Sequence, residues 1–280
     1  MTGSITSRTR LLALLGDPVE HSLSPVAQNA AFRRADVDGV YVALACNQDD
    51  LPGFLAGIAK AGGGGNVTLP HKEKAASVLD VSSDAVMRTG ACNTFWGVDG
   101  RVHGDNTDVE GFGRAVASFL GRAPTGFRVL VLGAGGAARA TLVSLLDNEV
   151  SEICLLNRTV DRARAVSRRI GGEKVRVLER PEHVEGMDFD LVVNTTRLGL
   201  EPDDPLPVEL DRLSRAGAVM DLVYGSEATP FVRAAESMGI RAADGLEMLV
   251  QQGAVAFERW WDQPAPVEVM RDALEGVVAE

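Results

Sequence analysis

Cysteine is scarce in this 280-residue chain, and the three present, Cys46, Cys92 and Cys154, stand far apart. An odd, dispersed set excludes a disulfide framework, and the absence of any CxxC or HxxxH spacing leaves no metal centre to expect. Three buried, reduced thiols and no metal are therefore expected. Aromatic residues are few, at 5%. Positive charge is short as well: 28 Lys and Arg oppose 39 Asp and Glu, for a net charge of −11. Such a surface repels phosphate backbones, and no basic patch interrupts it along the sequence, so nucleic acid and anionic membrane are not expected as partners. No run approaches the ~18 consecutive apolar residues of a membrane helix. The apolar stretch after the N-terminal MTGSITSRTR covers only residues 11–15 and is too short for a signal-peptide core, which predicts a cytoplasmic protein.

What remains is the composition of a folded α/β protein, with 45% hydrophobic and 24% charged residues over a length of about two domains. Strands are predicted at 11–15, 40–45 and 66–69, with helices at 24–35 (Ser24 as cap, Pro25 in the first turn) and 51–61. Residues 91–104 read as a hairpin turning at Val98-Asp99-Gly100. A helix follows over 109–120, and Gly121 to Gly126, with Pro124, reads as a linker. Beyond it strands at 128–132, 153–156, 174–178, 191–194, 219–222 and 240–243 alternate with helices at 136–147, 160–170 and from Thr229-Pro230 to Gly239. That alternation predicts a parallel sheet covered on both faces. The last 35 residues hold two helices, 246–261 and 266–278, with no strand between them.

Gly133-Ala134-Gly135-Gly136-Ala137-Ala138 gives GxGxxA directly after the strand RVLVL and directly before a helix. Glycines there let the backbone approach a pyrophosphate seated on the free N–H groups of the helix N-terminus. Arg158 stands 25 residues after Gly133, within Asn157-Arg158-Thr159 at the end of the next strand. A dinucleotide site selective for NAD usually places an acid there to hold the ribose 2′-hydroxyl. An arginine fork and a threonine hydroxyl suit a 2′-phosphate, so NADP is the expected cofactor.

Four polar motifs occupy strand or loop ends in the first 110 residues. They are Gly16-Asp17-Pro18-Val19-Glu20-His21-Ser22-Leu23-Ser24-Pro25, Gly65-Asn66-Val67-Thr68-Leu69-Pro70-His71-Lys72, Gly90-Ala91-Cys92-Asn93-Thr94 and Gly104-Asp105-Asn106-Thr107-Asp108. Together with Asn194-Thr195-Thr196-Arg197-Leu198-Gly199, Asp221-Leu222-Val223-Tyr224 and Gly245 to Gln252, they resemble the shikimate dehydrogenase family over roughly residues 11–262. The resemblance implies NADP-linked, reversible reduction of 3-dehydroshikimate to shikimate, by a monomer or homodimer. It implies a Rossmann-like NADP domain over 113–245, and an α/β substrate domain from 1–112 completed by the helices of 246–280. Ser22 and Ser24 match the family's carboxylate-binding hydroxyls. Thr68, Asn93 and Gln252 would reach the ring hydroxyls or the carboxylate, and Tyr224 would bind substrate from the domain junction. Thr195, Leu222 and Gly245 join the glycine loop and residues 157–159 as cofactor contacts. Gln28 stands where the family commonly has His, Gly253 where it has Ala, and Val109, Glu247 and Asp262 where it has Gly.

The chemistry can also be read from the residues. Hydride transfer to a ketone develops negative charge on its oxygen, which calls for a proton donor there. Lys72 and Asp108 form a pair able to deliver and accept that proton, and sequence leaves open which of the two transfers it. Taken alone, each has an ordinary alternative, an exposed lysine and a helix-capping aspartate; Ser24 as a helix cap and Tyr224 as a core aromatic do too. A quinate/shikimate or aminoshikimate dehydrogenase is the nearest competing activity, and a non-catalytic dinucleotide sensor the more distant one.

Overall fold

A computed structural model describes residues 5–201 and 203–278. The chain forms two compact units: one runs to Gly111 and resumes at Leu249, and the other is Phe112–Met248. Among the described residues no helix is long and apolar enough to cross a membrane.

The first unit opens with β1 (Arg10–Gly16), α1 (Ser24–Arg34), β2 (Gly39–Ala45), α2 (Leu51–Lys60) and β3 (Gly64–Val67). It continues through α3 (Lys72–Ala76), β4 (Val81–Ser82), α4 (Asp84–Thr89), β5 (Thr94–Val98) and β6 (Arg101–Asp105) to α5 (Thr107–Leu120), within which the division between units falls. The strands make one sheet in the order β2-β1-β3-β5-β6-β4. β1 runs parallel to β2 and β3, whereas β5 is antiparallel to both β3 and β6. This mixed pairing decides where the polar motifs go. Leu15 pairs with Val67, Asn66 with Thr94 and Thr94 with Asp105, so the segments after β1, after β3, before β5 and after β6 all leave from one sheet edge.

The second unit is the more regular. It comprises β7 (Arg128–Leu132), α6 (Gly136–Asp147), β8 (Glu152–Leu156), α7 (Val160–Val166), β9 (Val175–Leu178), β10 (Asp188–Phe189), β11 (Leu191–Asn194), β12 (Arg215–Ala216), β13 (Ala218–Asp221), α8 (Pro230–Ser237) and β14 (Arg241–Ala243). Its main sheet is parallel throughout in the order β14-β13-β11-β7-β8-β9, the arrangement of a Rossmann-type doubly wound domain. Alternate strand residues feed two apolar cores. Val129, Val131, Ile153 and Leu155 pack with α5 and α6, whereas Leu130, Leu132, Cys154 and Val192 pack with Phe231 and Ala235 of α8. The chain then enters α9 (Leu246–Trp261) and α10 (Val267–Val278), most of which belong to the first unit. There Phe257 and Trp261 of α9 meet Phe32 of α1 at 6.0 and 5.4 Å between ring centroids, and α10 packs on α1.

Local readings differ from the structure in instructive ways. Ser24 is the first residue of α1 and caps nothing: Leu23 holds the cap position without a side-chain hydrogen bond. The third strand begins at Gly64, because the glycine run is itself paired between β1 and β5. α5 begins at Thr107, not 109, because the Thr107 N–H donates to Asn93 Oδ1 at 2.8 Å, a cap supplied from 14 residues away. α7 stops at Val166 and widens into a π-turn, Ser167–Gly171. The stretch between 70 and 90 contains α3, β4 and α4, all too short to show a period; α4 is closed by its cap Ser83 and by Gly90 at φ +66°. Asp262 takes φ +48°, the left-handed conformation that a glycine at this position would adopt freely.

The three cysteines are free and buried. Burial pushes the Cys92 thiol up to about 12 and that of Cys154 to about 11, so neither is a nucleophile at neutral pH.

Candidate functional site

Lys72 is the first residue of α3, and its carbonyl accepts the Cys92 N–H at 2.9 Å, which ties the helix start to the loop carrying Asn93. Asp108 lies in the first turn of α5, where the helix dipole favours a carboxylate. The two side chains meet: Lys72 Nζ donates to Asp108 Oδ2 at 2.7 Å, with side chains 21% and 11% exposed, so the pair is shielded yet reachable. Asn93 Nδ2 donates to the other oxygen, Oδ1, at 2.9 Å. Asn93 is itself held, its Oδ1 accepting from the Thr107 N–H and hydroxyl and from the Thr94 hydroxyl. It is 2% exposed and keeps one Nδ2 hydrogen uncommitted.

Four further expected substrate contacts, Thr68, Ser22, Ser24 and Gln252, belong to the same unit. Thr68 follows β3; its N–H and carbonyl are used by Leu15 and His71, while its half-buried hydroxyl has no partner among the described residues. Ser22, between β1 and α1, and Ser24, the first residue of α1, are half-buried, the Ser22 hydroxyl accepting the Ser24 N–H at 3.3 Å. Gln252 on α9 sits against α5 one turn beyond Asp108. A Cβ on Gly111 would lie 2.6 Å from the Gln252 Cα, so only glycine permits this approach. Gln252 Nε2 donates to Leu249 O at 2.9 Å, and its Oε1 accepts no hydrogen bond among the described residues.

Residues to which the sequence assigns no part in the site brace this edge. Asp105, 6% exposed, accepts from Ser83 Oγ at 2.5 Å, from the Asn106 N–H at 2.7 Å and from Arg259 Nε of α9 at 2.9 Å. Arg259 also reaches Glu110, so α9 grips the Asp108 segment on both sides. His71 is buried and joins Cys46 O through Nε2 at 2.7 Å, anchoring the residue before Lys72. Two family departures are partners of each other: buried Gln28 donates through Nε2 to Gly253 O at 2.9 Å.

In the second unit the glycine loop leaves β7 at the point where strand order reverses, between β7 and its neighbours β8 and β11. Gly133 has φ +112°, and a Cβ there would lie 2.6 Å from Thr195 Oγ1. The Thr195 hydroxyl donates to Leu132 O at 2.7 Å, which closes the floor of the loop. Gly135 and Gly136 face open space, and the start of α6 carries no side-chain cap. Its first N–H groups are therefore open to an anion. Ala134 is buried and Ala137 exposed, while fully buried Ala138 allows helix and strand to pack closely. Arg158 and Thr159 are exposed, and Arg158 has no ion-pair or hydrogen-bond partner among the described residues. Asn157 donates to Thr159 O at 2.8 Å, which shapes the turn. Asn157, Arg158 and Thr159 put no acid at this strand end, and their donor set fits a dinucleotide carrying a 2′-phosphate.

Behind the loop, Asp221 is fully buried and accepts from Thr229 Oγ1 at 2.7 Å, Asn194 Nδ2 at 2.8 Å and the Val223 N–H at 3.0 Å. Burial raises its carboxyl above the usual range, and these three donors pull the other way. The network locks the ends of β11 and β13 together. It thereby sets Leu222, whose N–H donates to Asn194 O at 2.9 Å, and Gly245, whose N–H donates to Val223 O at 3.0 Å. Half-buried Tyr224 lies outside both apolar cores of this unit, and its phenol is raised by burial.

Three family models match the chain in order. Residues 14–95 match the shikimate dehydrogenase substrate binding domain, 118–197 shikimate / quinate 5-dehydrogenase, and 245–275 the shikimate 5′-dehydrogenase C-terminal domain. A shikimate dehydrogenase (NADP(+)) of Methanopyrus kandleri is 40% identical, with 97% of each chain covered. A shikimate dehydrogenase solved in complex with NADP+ superposes with a TM-score of 0.88 at 31% identity, over 99% of this chain and 98% of the other. The shikimate 5-dehydrogenase of Thermus thermophilus, solved with NADP(H) and shikimate, gives 0.85 at 37% identity, over 94% and 97%. Matched from the first strand to the last helices, the chain belongs to the shikimate dehydrogenase family.

Proposed function

We propose that this chain is a shikimate dehydrogenase, catalysing the NADP-linked, reversible reduction of 3-dehydroshikimate to shikimate in aromatic amino-acid biosynthesis. The observation that carries this reading is the shielded Lys72–Asp108 pair at 2.7 Å, with Asn93 on the second carboxylate oxygen. The cofactor, when bound, would supply the hydride for the ketone carbon. Lys72 Nζ then gives a proton to the ketone oxygen as charge develops there, and in the oxidation direction a neutral Lys72 takes the hydroxyl proton. The assignment goes to Lys72 because both Asp108 oxygens already accept hydrogen bonds, so the hydrogens available for transfer are those on Nζ. Asp108 fixes the ammonium and balances its charge. Ser22 and Ser24 hold the substrate carboxylate, Thr68 and Gln252 its hydroxyls, and Asn93 chiefly orients Asp108 while offering its last N–H. In the other unit the start of α6 takes the pyrophosphate and Arg158 with Thr159 the 2′-phosphate. Leu222 and Gly245 are further cofactor contacts, and Tyr224 is a further substrate contact. A cytoplasmic monomer or homodimer belongs to the same reading.

The test is NADPH absorbance. Purified protein should oxidise NADPH with 3-dehydroshikimate and reduce NADP with shikimate. Comparable turnover of quinate would reassign the substrate, and no turnover of any of these would remove the enzymatic reading.

A further inference from the structure

At the N-terminal edge of the second unit's sheet, opposite the glycine loop, Arg122, Arg215 and Arg241 line one open cavity of about 220 Å³ with Leu120, Phe127 and Asp190. Three guanidiniums around one carboxylate form a local excess of positive charge in a chain of net charge −11. Two are held by rings instead of acids: Arg122 lies 4.7 Å over Phe127 and Arg241 4.9 Å over Phe119. Neither has a carboxylate partner or a hydrogen bond among the described residues. Arg215 approaches Asp190 only to 3.9 Å, beyond hydrogen-bond range, and Asp190 Oδ2 is already occupied by the Arg128 N–H at 2.9 Å. A guanidinium stacked on an aromatic face keeps its in-plane N–H donors free and its orientation fixed. Three like charges with a single carboxylate among them repel, and a further anion seated there relieves that repulsion.

We propose that this cavity binds the phosphate group of a small phosphorylated metabolite. The arginine forks take the phosphate oxygens, and Leu120 and Phe127 carry the carbon portion. Phosphate fits better than carboxylate because three guanidiniums line the cavity and a carboxylate offers only two oxygens. The site lies at the sheet edge opposite the dinucleotide loop, so its occupant is not the cofactor in its redox position.

Titration of the full-length protein with inorganic phosphate at constant ionic strength, followed by calorimetry, tests this. The wild type should show saturable binding that weakens at least about tenfold in Arg122→Gln/Arg241→Gln, the effect of losing charge-assisted hydrogen bonds. Arg158→Gln should leave that binding intact, and the double variant should keep the wild-type Tm without phosphate and the wild-type kcat. Absence of saturable phosphate binding would overturn the proposal. So would binding that Arg158→Gln abolishes and Arg122→Gln/Arg241→Gln retains.

Discussion

The two units hold their polar groups in opposite ways. At the polar edge of the first, the side chains of the candidate site are fixed by side chains from elsewhere: Asn93 on Asp108, Thr94 and Thr107 on Asn93, and Arg259 on the neighbouring Asp105. At the glycine loop of the second, donors are left open: bare N–H groups at the start of α6 and, among the described residues, an unpaired Arg158. A group that must meet a reacting atom needs its position set beforehand, because misplacement by about 1 Å can remove a hundredfold in rate. A ligand that brings its own charges needs only donors and a dipole facing it.

The comparison breaks most sharply at Lys72. Lys72→Ala should cut kcat by at least about 100-fold while substrate binding changes less. Asp108→Asn should also be severe, and steady-state kinetics of the double variant should show far less than the sum of the two losses. Additive losses would mean that the residues act separately, against the hydrogen bond between them.

Asp221 tests whether the second unit has any fixed polar core of its own. Asp221→Ala strands the buried Asn194 amide, Thr229 hydroxyl and Val223 N–H, at about 1–3 kcal/mol each, and denaturant unfolding should register a loss above about 3 kcal/mol. The raised native carboxyl gives this residue a pH signature with a definite sign. As pH climbs past the ordinary carboxylate range, the unfolded chain releases this proton before the native state does. Asp221 therefore contributes stability at acid pH that is lost as pH rises through the raised native value. Asp221→Asn, which does not titrate, should flatten that limb of the stability profile; an unchanged slope would remove Asp221 as its source.

Arg158→Asp probes the open side of the contrast. Charge-assisted contacts to a 2′-phosphate are worth about 1.5–3 kcal/mol, so the wild type should prefer NADP by roughly 10- to 150-fold in kcat/KM. The variant should lose that preference while NAD use holds or rises, and added salt should weaken NADP more than NAD in the wild type. An Arg158→Asp protein that still prefers NADP would place the 2′-phosphate elsewhere.

The smallest effect separates two roles for one residue. Ser22→Ala and Ser24→Ala should each raise KM for shikimate by the loss of a hydrogen bond to a charged group, about 1.5–3 kcal/mol at most. Because Ser24 does not cap α1, Ser24→Ala should leave the unfolding free energy within about 0.5 kcal/mol of wild type. A loss near the ~1 kcal/mol of a removed cap would restore the capping role.

What could be read from the sequence followed the same division. The glycine loop is local: strand, turn and helix are contiguous, so β7 and α6 fall where periodicity and GxGxxA place them. The first unit's chemistry is not local. Lys72 and Asp108 are 36 residues apart, and their pairing depends on a sheet that mixes parallel and antiparallel strands. Family resemblance therefore named these residues, where spacing alone left each with an ordinary alternative. Asn93 as the cap of α5, Arg259 on Asp105 across 154 residues and Gln28 on Gly253 across 225 carry no sequence signature at all. The arginine cavity was hidden for the same reason: residues 122, 215 and 241 make a patch only after the second unit's sheet aligns them.

Arg10 at the start of β1 donates through Nη1 to Trp260 O at 2.8 Å and lies 4.4 Å over the Trp261 ring, closing a loop of 250 residues. That contact has a consequence for the order in which the protein is made. The second unit is one uninterrupted segment, Phe112–Met248, and has its whole core once that segment leaves the ribosome. The first unit is synthesised earlier yet lacks α9 and α10, and with them Gln252, Arg259 and the aromatic cover of Phe32. At about 5–20 residues per second, the strands made first wait on the order of ten seconds for their last helices. The half of the molecule translated first is thus the half finished last, and during that interval its apolar sheet face is what a chaperone would meet.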